Sequence, residues 1–372
     1  MKILTLLGTR PEAIKLMPVI KELELREGII SRVCSTGQHR ELLDEQLALF
    51  GIVPDYNLNI MKSGQDLFDI TERALDGIKK TLQNYNPDVV IVQGDTTTAF
   101  IGALSAFYMK ITIAHVEAGL RTNDKLSPFP EEINRRLIDH MADILFPPTA
   151  LAKENLINEG ISDSKIVMSG NTAVDALMWM VDHQKIESTT IRQRLDECGI
   201  LTIDKPFILV TGHRRESFGK PFEDICNGIK RVAKNNDVQI IYPVHLNPSV
   251  QEPVNDILGA ISNISLIPPV DYELFVFLMS ECSFILTDSG GIQEEAISLN
   301  KPVLIMRDKT ERQEAIDAGG AKLVGTNSDV IFNEANRLLR DGAEYTRMCL
   351  ADNPFGDGHA AKRIVDTILR MT

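Results

Sequence analysis

The chain has 372 residues, more than one hydrophobic core usually organises, and at about 150 residues per domain two domains are expected. With 44% hydrophobic and 24% charged residues it is globular in composition, and no repeat or low-complexity run interrupts it. A formal net charge of −13 excludes a general nucleic-acid or acidic-membrane binder, so cations meant for an anionic ligand have to be gathered locally.

The opening MKILTLL predicts a first buried strand and not a leader, because its apolar run is short and Arg10, Glu12 and Lys15 follow at once. Directly behind it, GTRPEAIK frees a turn at Gly8, starts a helix at Pro11 and sets Arg10 and Lys15 beside that start. Two such cations suit an anion, although a solvated helix start has the same composition. No G-x-G-x-x-G follows the strand, so a tightly held dinucleotide is not expected.

Further along come VVIVQ, ITIAHV and DILFP, then after a break FILVT, VQIIYP, SFILT and PVLIM. These runs are apolar throughout and alternate with amphipathic stretches, the pattern of parallel strands covered on both faces by crossover helices. Asp95 in VQGDTTTAF stands after one strand and before a helix that Thr96 or Thr97 can cap; Asp95 itself is the other candidate cap. The next strand ends in HVEAGLR and delivers Glu117 to the same sheet edge, where two carboxylates can divide acid from base work. In SPFPEEINRRLIDHMAD, Pro130 opens a helix with a predicted buried stripe of Ile133, Leu137, Ile138 and Met141. Glu131 then lies in the first turn on the opposite side, either paired with Arg135 or free for function.

A polar, helical interval from Gly170 to Pro206 marks the junction, with the boundary placed at 170. Beyond it, GHRRES sets His213, Arg214 and Arg215 at a strand end, a phosphate or proton-transfer site, and HLNP sets His245 at the next. TDSGGIQEEA ends a strand and opens a helix, so the N–H groups of Ser289, Gly290 and Gly291 face an anion. Two glutamates just behind them point to a second, uncharged requirement. Arg312, after PVLIM, brings a cation toward the same half. The cysteines Cys34, Cys198, Cys226, Cys282 and Cys349 are scattered, and with no D-x-D or H-E-x-x-H the chain predicts neither metal nor disulfides and fits the cytoplasm. Two doubly wound α/β halves of this kind present their strand C-terminal ends to a shared cleft.

Taken in order, GTRPEAIK, QGDTTT, HVEAGLRT, PEEINRR, GHRRES, HLNP, DSGGIQEEA and TERQEA resemble the non-hydrolysing UDP-N-acetylglucosamine 2-epimerases over essentially the whole chain. The resemblance implies two Rossmann-like domains facing a cleft, the glycosyltransferase-B type, spanning 1–170 and 171–359, with a terminal helix 360–372 returning to the first. It implies a UDP-sugar substrate, no cofactor and a homodimer. Such a ligand is anionic at one end and hydroxyl-rich at the other, which accounts for glycines and glutamates side by side. By this likeness Asp95, Glu117, Glu131 and His213 are catalytic. Ser289, Gly290 and Gly291 hold the diphosphate, Glu295 the ribose hydroxyls, Phe275 the base, and Arg10, Lys15 and Arg312 the UDP charge. An activating second UDP-GlcNAc is implied at Gln38, Arg214, Arg215 and His245. Two positions depart from the family: Val270 stands where glutamine is frequent, and Gly64 where an arginine is usual. The implied reaction eliminates UDP to 2-acetamidoglucal and adds it back, with the proton-removing carboxylate left open. The alternatives are a hydrolysing relative, a retaining glycosyltransferase on the same fold, and a non-catalytic sugar-nucleotide sensor.

Overall fold

The computed structural model describes residues 1–37, 40–62, 64–184, 188–200, 205–214, 217–310 and 312–371. The chain divides into two compact units, Met1–Ala176 with Phe355–Thr372, and Leu177–Pro354. The first holds β1 (Lys2–Leu7), β2 (Ile30–Ser35), β3 (Tyr56–Asn57), β4 (Val89–Gln93), β5 (Thr112–Val116) and β6 (Ile144–Phe146) in the order β3-β2-β1-β4-β5-β6. The second holds β7 (Phe207–Thr211), β8 (Gln239–Pro243), β9 (Ile264–Ile267), β10 (Phe284–Thr287), β11 (Val303–Ile305) and β12 (Ala321–Leu323) in the order β12-β11-β10-β7-β8-β9. Every pairing is parallel. Counted from its own first strand, each sheet reads 3-2-1-4-5-6, the doubly wound order whose winding reverses between the first and fourth strands.

The expectation of two parallel, doubly wound sheets therefore holds, and its basis is visible in the strands. All five residues of VVIVQ and all five of FILVT are buried, as strands sandwiched between helix layers must be. In the first unit Leu4, Leu6, Val90 and Val92 pack against Ala99, Ala103 and Ala106 of the helix Thr97–Tyr108. That helix sits close because of Gly102, where a Cβ would stand 2.5 Å from Leu6. In the second unit Ile208 and Val210 meet Phe222, Ile225 and Ile229 of the helix Lys220–Asn235.

The helix Glu131–Met141 departs from the sequence expectation. Ile138 is buried, but Ile133 and Leu137 are 40% and 44% exposed, and the buried face carries Glu132, Asn134 and Asp139 instead. Hydrophobic spacing misassigns this face because its inward side chains are polar groups with specific hydrogen-bond partners, which burial tolerates when they are satisfied. No helix among the described residues is long and apolar enough to cross a membrane.

The terminal helix Ala360–Met371 belongs to the first unit. Its first two N–H groups, on Ala360 and Ala361, donate to Asp175 at 3.1 and 2.8 Å, and Arg26 meets Asp366 at 2.6 Å. A carboxylate nearly two hundred positions upstream thus acts as its N-terminal cap. Asp175→Ala leaves two buried donors unsatisfied, a cost of about 1–3 kcal/mol. At roughly 2–4 °C per kcal/mol for a unit of the first one's size, calorimetry should show a measurably lower Tm, with earlier proteolysis at the C-terminus. An unchanged Tm would show that the helix is held by its apolar face alone.

Candidate active site

In the first unit the winding reverses between β1 and β4, and the loops leaving those strands are tied by a buried carboxylate. Glu12 Oε2 accepts from the N–H of Gly8 (2.9 Å) and from the N–H and hydroxyl of Thr9 (both 2.8 Å), while Oε1 accepts from the Thr96 hydroxyl at 2.7 Å. Burial pushes the Glu12 carboxyl up, and the bonds from Thr96, Thr9 and Gly8 oppose that without cancelling it. Gly8 has no alternative, since a Cβ there would lie 2.2 Å from the Thr36 hydroxyl and 2.3 Å from that of Thr98.

Arg10, Lys15, Asp95 and Glu117 all stand at this strand-end edge. Lys15 Nζ is ion-paired with Glu117 Oε1, and Gln93 Nε2 donates to its other oxygen. Glu117 has φ +66°, a left-handed conformation costing a non-glycine residue roughly 1–2 kcal/mol, which the surrounding bonds hold in place. Among the described residues Arg10 makes no hydrogen bond or ion pair. Thr96, not Asp95, caps the following helix, accepting from Ala99 N–H at 3.1 Å. Asp95 is thereby released to pair with Arg135, while its carbonyl accepts from Asn134 Nδ2 at 2.9 Å. Burial, the largest influence, pushes the Asp95 carboxyl up; Arg135 opposes it and Glu117 adds to the rise. The two rim carboxylates thus sit in unlike surroundings.

Behind them lies a network centred on the fully buried His115 and Asp139. His115 on β5 faces Asp139 at 2.7 Å through Nδ1 and the Gly94 carbonyl at 2.8 Å through Nε2, next to Asp95 in the chain. Asp139 also accepts from Arg121 at 2.7 Å and from Gly119 N–H at 3.2 Å, and Arg121 grips Glu159 at 2.8 and 2.6 Å. Burial alone would raise the Asp139 carboxyl, but His115 and Arg121 hold it below its ordinary range. The adjacent glutamates of PEE separate: Glu132 is buried, accepting from the N–H groups of Thr122 (3.0 Å) and Asn123 (3.2 Å). Glu131 is half-buried, and among the described residues it has neither a hydrogen bond nor an ion pair. Of the two readings for Glu131, the pair with Arg135 does not form: Arg135 meets Asp95 and, at 3.5 Å, Glu132.

In the second unit the reversal lies between β7 and β10. Asp288 is fully buried, and its Oδ2 accepts from the N–H groups of His213 (2.8 Å) and Arg214 (2.9 Å). The Tyr242 hydroxyl donates to the Gly212 carbonyl at 2.9 Å, fixing the same loop from below. His213 stacks on His245, with ring centres 5.1 Å apart and planes 9° from parallel. Ser289 stands at the start of the helix Gly290–Ser298, and at Gly291 nothing within 4 Å would meet a Cβ, so no packing inside the chain requires glycine there. The two glutamates divide their work: buried Glu294 pairs with Arg312, whereas half-exposed Glu295 accepts from the Tyr272 hydroxyl at 3.1 Å. Phe275 is half-buried on the same helix as Tyr272, Tyr272–Glu281. Thr310 donates to Gln293 at 2.8 Å and accepts from Arg312 N–H at 3.1 Å, anchoring the arginine's loop.

Of the remaining sequence candidates, Gln38 and Arg215 lie outside the described residues. Among the described residues no group of three or more His, Cys, Asp and Glu is placed to hold a metal. Sequence reasoning missed the supporting roles of Glu12, Gln93, His115, Asp139, Tyr242 and Asp288. Only Glu12 carried a local signal, the T-x-x-E spacing of a capping box.

The sequence model of the family described as UDP-N-acetylglucosamine 2-epimerase matches residues 21–369. A UDP-N-acetylglucosamine 2-epimerase of Escherichia coli O157:H7 is 53% identical over 370 residues, covering 99% of this chain and 98% of that protein. Among solved structures, the UDP-GlcNAc 2-epimerase of Neisseria meningitidis bound to UDP-GlcNAc superposes with a TM-score of 0.88 at 46% identity, covering all of both chains. The Methanocaldococcus jannaschii enzyme in complex with UDP-GlcNAc and UDP gives 0.79 at 37%, again over all of both chains. The fold is of the two-domain glycosyltransferase-B type.

The enclosed network makes a prediction about stability. Asp139→Asn leaves His115 and Arg121 buried without their carboxylate, so at pH 7 the variant should be less stable by about 3–5 kcal/mol. Because the folded-state pKa of Asp139 is depressed, its contribution is complete above the unfolded value of about 3.9 and is lost as pH falls through the lower folded value. Denaturant titrations should therefore show a gap between parent and variant that narrows below about pH 4. A gap of constant size down to pH 3 would mean that the ionised carboxylate is not its source.

Proposed function

The chain belongs to the UDP-N-acetylglucosamine 2-epimerase family, and from that premise we propose that it interconverts UDP-N-acetylglucosamine and UDP-N-acetylmannosamine without hydrolysis. UDP is eliminated across C1 and C2 to give a bound 2-acetamidoglucal, then added back with the C2 proton on the other face. One observation carries this reading: Asp95 and Glu117 share one strand-end edge in unlike electrostatic surroundings. Inversion at C2 needs a base on one face of the sugar and an acid on the other, and two carboxylates at one edge offer two such groups: Asp95, pushed up by burial and paired with Arg135, and Glu117, held by Lys15 and Gln93. Glu131, uncommitted at its helix start, is a third.

Holding and releasing the diphosphate is assigned to the Ser289–Gly291 helix start, whose N–H groups and dipole favour negative charge, and to Arg10, Lys15 and Arg312. Phe275 takes the uracil, and Glu295 accepts from the ribose hydroxyls. His213 faces the oxygen that departs from C1. A second UDP-GlcNAc acting as activator through Arg214 and His245 would reach His213 directly, because the two imidazoles are stacked. A homodimer accords with the same kinship.

Elimination and re-addition pass the C2 proton through a group that exchanges with water. In deuterium oxide, proton NMR should therefore show UDP-N-acetylmannosamine carrying deuterium at C2, formed without added nicotinamide. Product that keeps its original hydrogen would sink the elimination route, and accumulation of free N-acetylmannosamine with equal UDP would mark a hydrolysing enzyme.

The rim carboxylates are tested separately. Asp95→Asn and Glu117→Gln should fold normally yet turn over about 10²- to 10⁴-fold more slowly, the usual contribution of a general acid or base. Rates near the parent's in both variants would take them out of the mechanism.

A further inference from the structure

Among the described residues, the buried side-chain atoms left without a hydrogen bond include one carboxylate oxygen, Asp288 Oδ1. Its residue is 0% exposed, while its other oxygen is fully engaged by the N–H groups of His213 and Arg214. A buried carboxylate oxygen without a donor is a costlier orphan than a hydroxyl, and this one stands beside the helix start assigned to an anion. The donor that faces it is His213 Nδ1, 3.8 Å away, too long for a hydrogen bond but within a small ring movement of one. The His213 ring is 45% exposed, and its Nε2 makes no hydrogen bond among the described residues. The ring of His245 lies parallel to it, and among the described residues the polar groups beside it include Arg214, next in the chain, and the Tyr242 hydroxyl, committed to Gly212.

We propose that Asp288 is a positioning residue for His213: its free oxygen accepts a hydrogen bond from Nδ1–H, so that Nε2 is the atom presented to the departing diphosphate. The inference rests on the reading of His213 given above. The dyad tightens when the diphosphate docks at Ser289–Gly291, as apo hydrogen bonds of catalytic groups commonly do. During elimination a rim carboxylate takes the C2 proton, the C2–H electron pair becomes the C1–C2 π bond, and the C1–O pair leaves with the diphosphate oxygen. His213 enters this step as the imidazolium: its Nε2 proton moves toward that oxygen, and the ring is left as the neutral Nδ1–H tautomer, with Asp288 still accepting from Nδ1–H. In re-addition the diphosphate oxygen returns to C1 and its proton to Nε2, while a second rim carboxylate gives C2 a proton on the opposite face; one carboxylate has then gained the proton the other lost, and exchange with water restores both. Holding an imidazole in one tautomer through a buried carboxylate follows the same logic as an Asp–His pair in a hydrolase triad.

The test uses the full-length enzyme as Asp288→Asn, His213→Ala and the double variant, with kcat and KM measured for UDP-GlcNAc. Asparagine still offers an oxygen to the loop N–H groups but presents an amide to the ring. Asp288→Asn should lower kcat about 10²- to 10⁴-fold with KM changed only a few-fold, and the double variant should be no slower than His213→Ala. Nitrogen-15 NMR of histidine-labelled parent with UDP bound should show His213 protonated at Nδ1, the signal being assigned by its loss in His213→Ala. Multiplicative losses in the double variant, or an unprotonated Nδ1 in the parent, overturn the inference even if Asp288→Asn fails to fold. Full activity in His213→Ala overturns the reading of His213 itself, whereas an impaired His213→Ala beside a fully active Asp288→Asn overturns the dyad alone.

Discussion

Where a doubly wound sheet reverses its winding, two neighbouring parallel strands send their chains to opposite faces, and the N–H groups emerging there lose their ladder partners. Both units meet this constraint with one buried carboxylate that joins the two diverging loops. In the first, Glu12 on the β1 side binds Gly8, Thr9 and, across the gap, Thr96 after β4. In the second the direction is reversed, and Asp288 after β10 binds the N–H groups of His213 and Arg214 after β7. Charge-assisted bonds of this kind contribute roughly 1.5–3 kcal/mol each, and several converging on one carboxylate offset part of the cost of burying it. Asp95 and His213, two of the groups assigned to chemistry, stand on loops so held.

The first unit adds a second layer beneath the rim. His115 bonds the carbonyl just before Asp95, Asp139 orients His115, and Arg121 with Glu159 closes the set. Asp139 lies on the helix that begins with Glu131, so one enclosed network ties both the Asp95 loop and the Glu131 helix to β5. The polar inner face of that helix is thus the means by which the rim is aligned, and it turns Ile133 and Leu137 outward.

The second unit shows how a short stretch serves two chemical demands. In DSGGIQEEA the serine and glycines present N–H groups at the helix start, Glu294 is consumed by Arg312, and Glu295 is left half-exposed one turn on with Tyr272. Anion recognition and hydroxyl recognition then occupy successive parts of one strand-to-helix crossing. The same division explains why two adjacent glutamates behave differently: helix geometry turns neighbours about 100° apart, so one faces the loop and the other the open side.

Strand identity, parallel pairing and the two-unit plan were legible in the sequence because uninterrupted apolar runs of five or so residues can be buried only between two helix layers. The strand-end positions of Asp95, Glu117, His213 and Ser289 were legible for the same reason: each follows such a run directly, and chain order carries them to a sheet edge. What stayed hidden depends on partners far apart in sequence. Asp95 proved free of capping only because Thr96 takes that role and Arg135, forty positions on, takes the carboxylate. Asp175 capping Ala360, and Asp139 meeting His115, join residues whose spacing carries no periodic signal. In the helix Glu131–Met141, Ile138 is buried as expected, but Ile133 and Leu137 were placed inward wrongly because hydrophobic spacing assumes an apolar interior. Local pattern determines which segments are buried, since burial follows composition; which polar groups may be buried with them is decided only where the folded chain supplies each its hydrogen-bond partner.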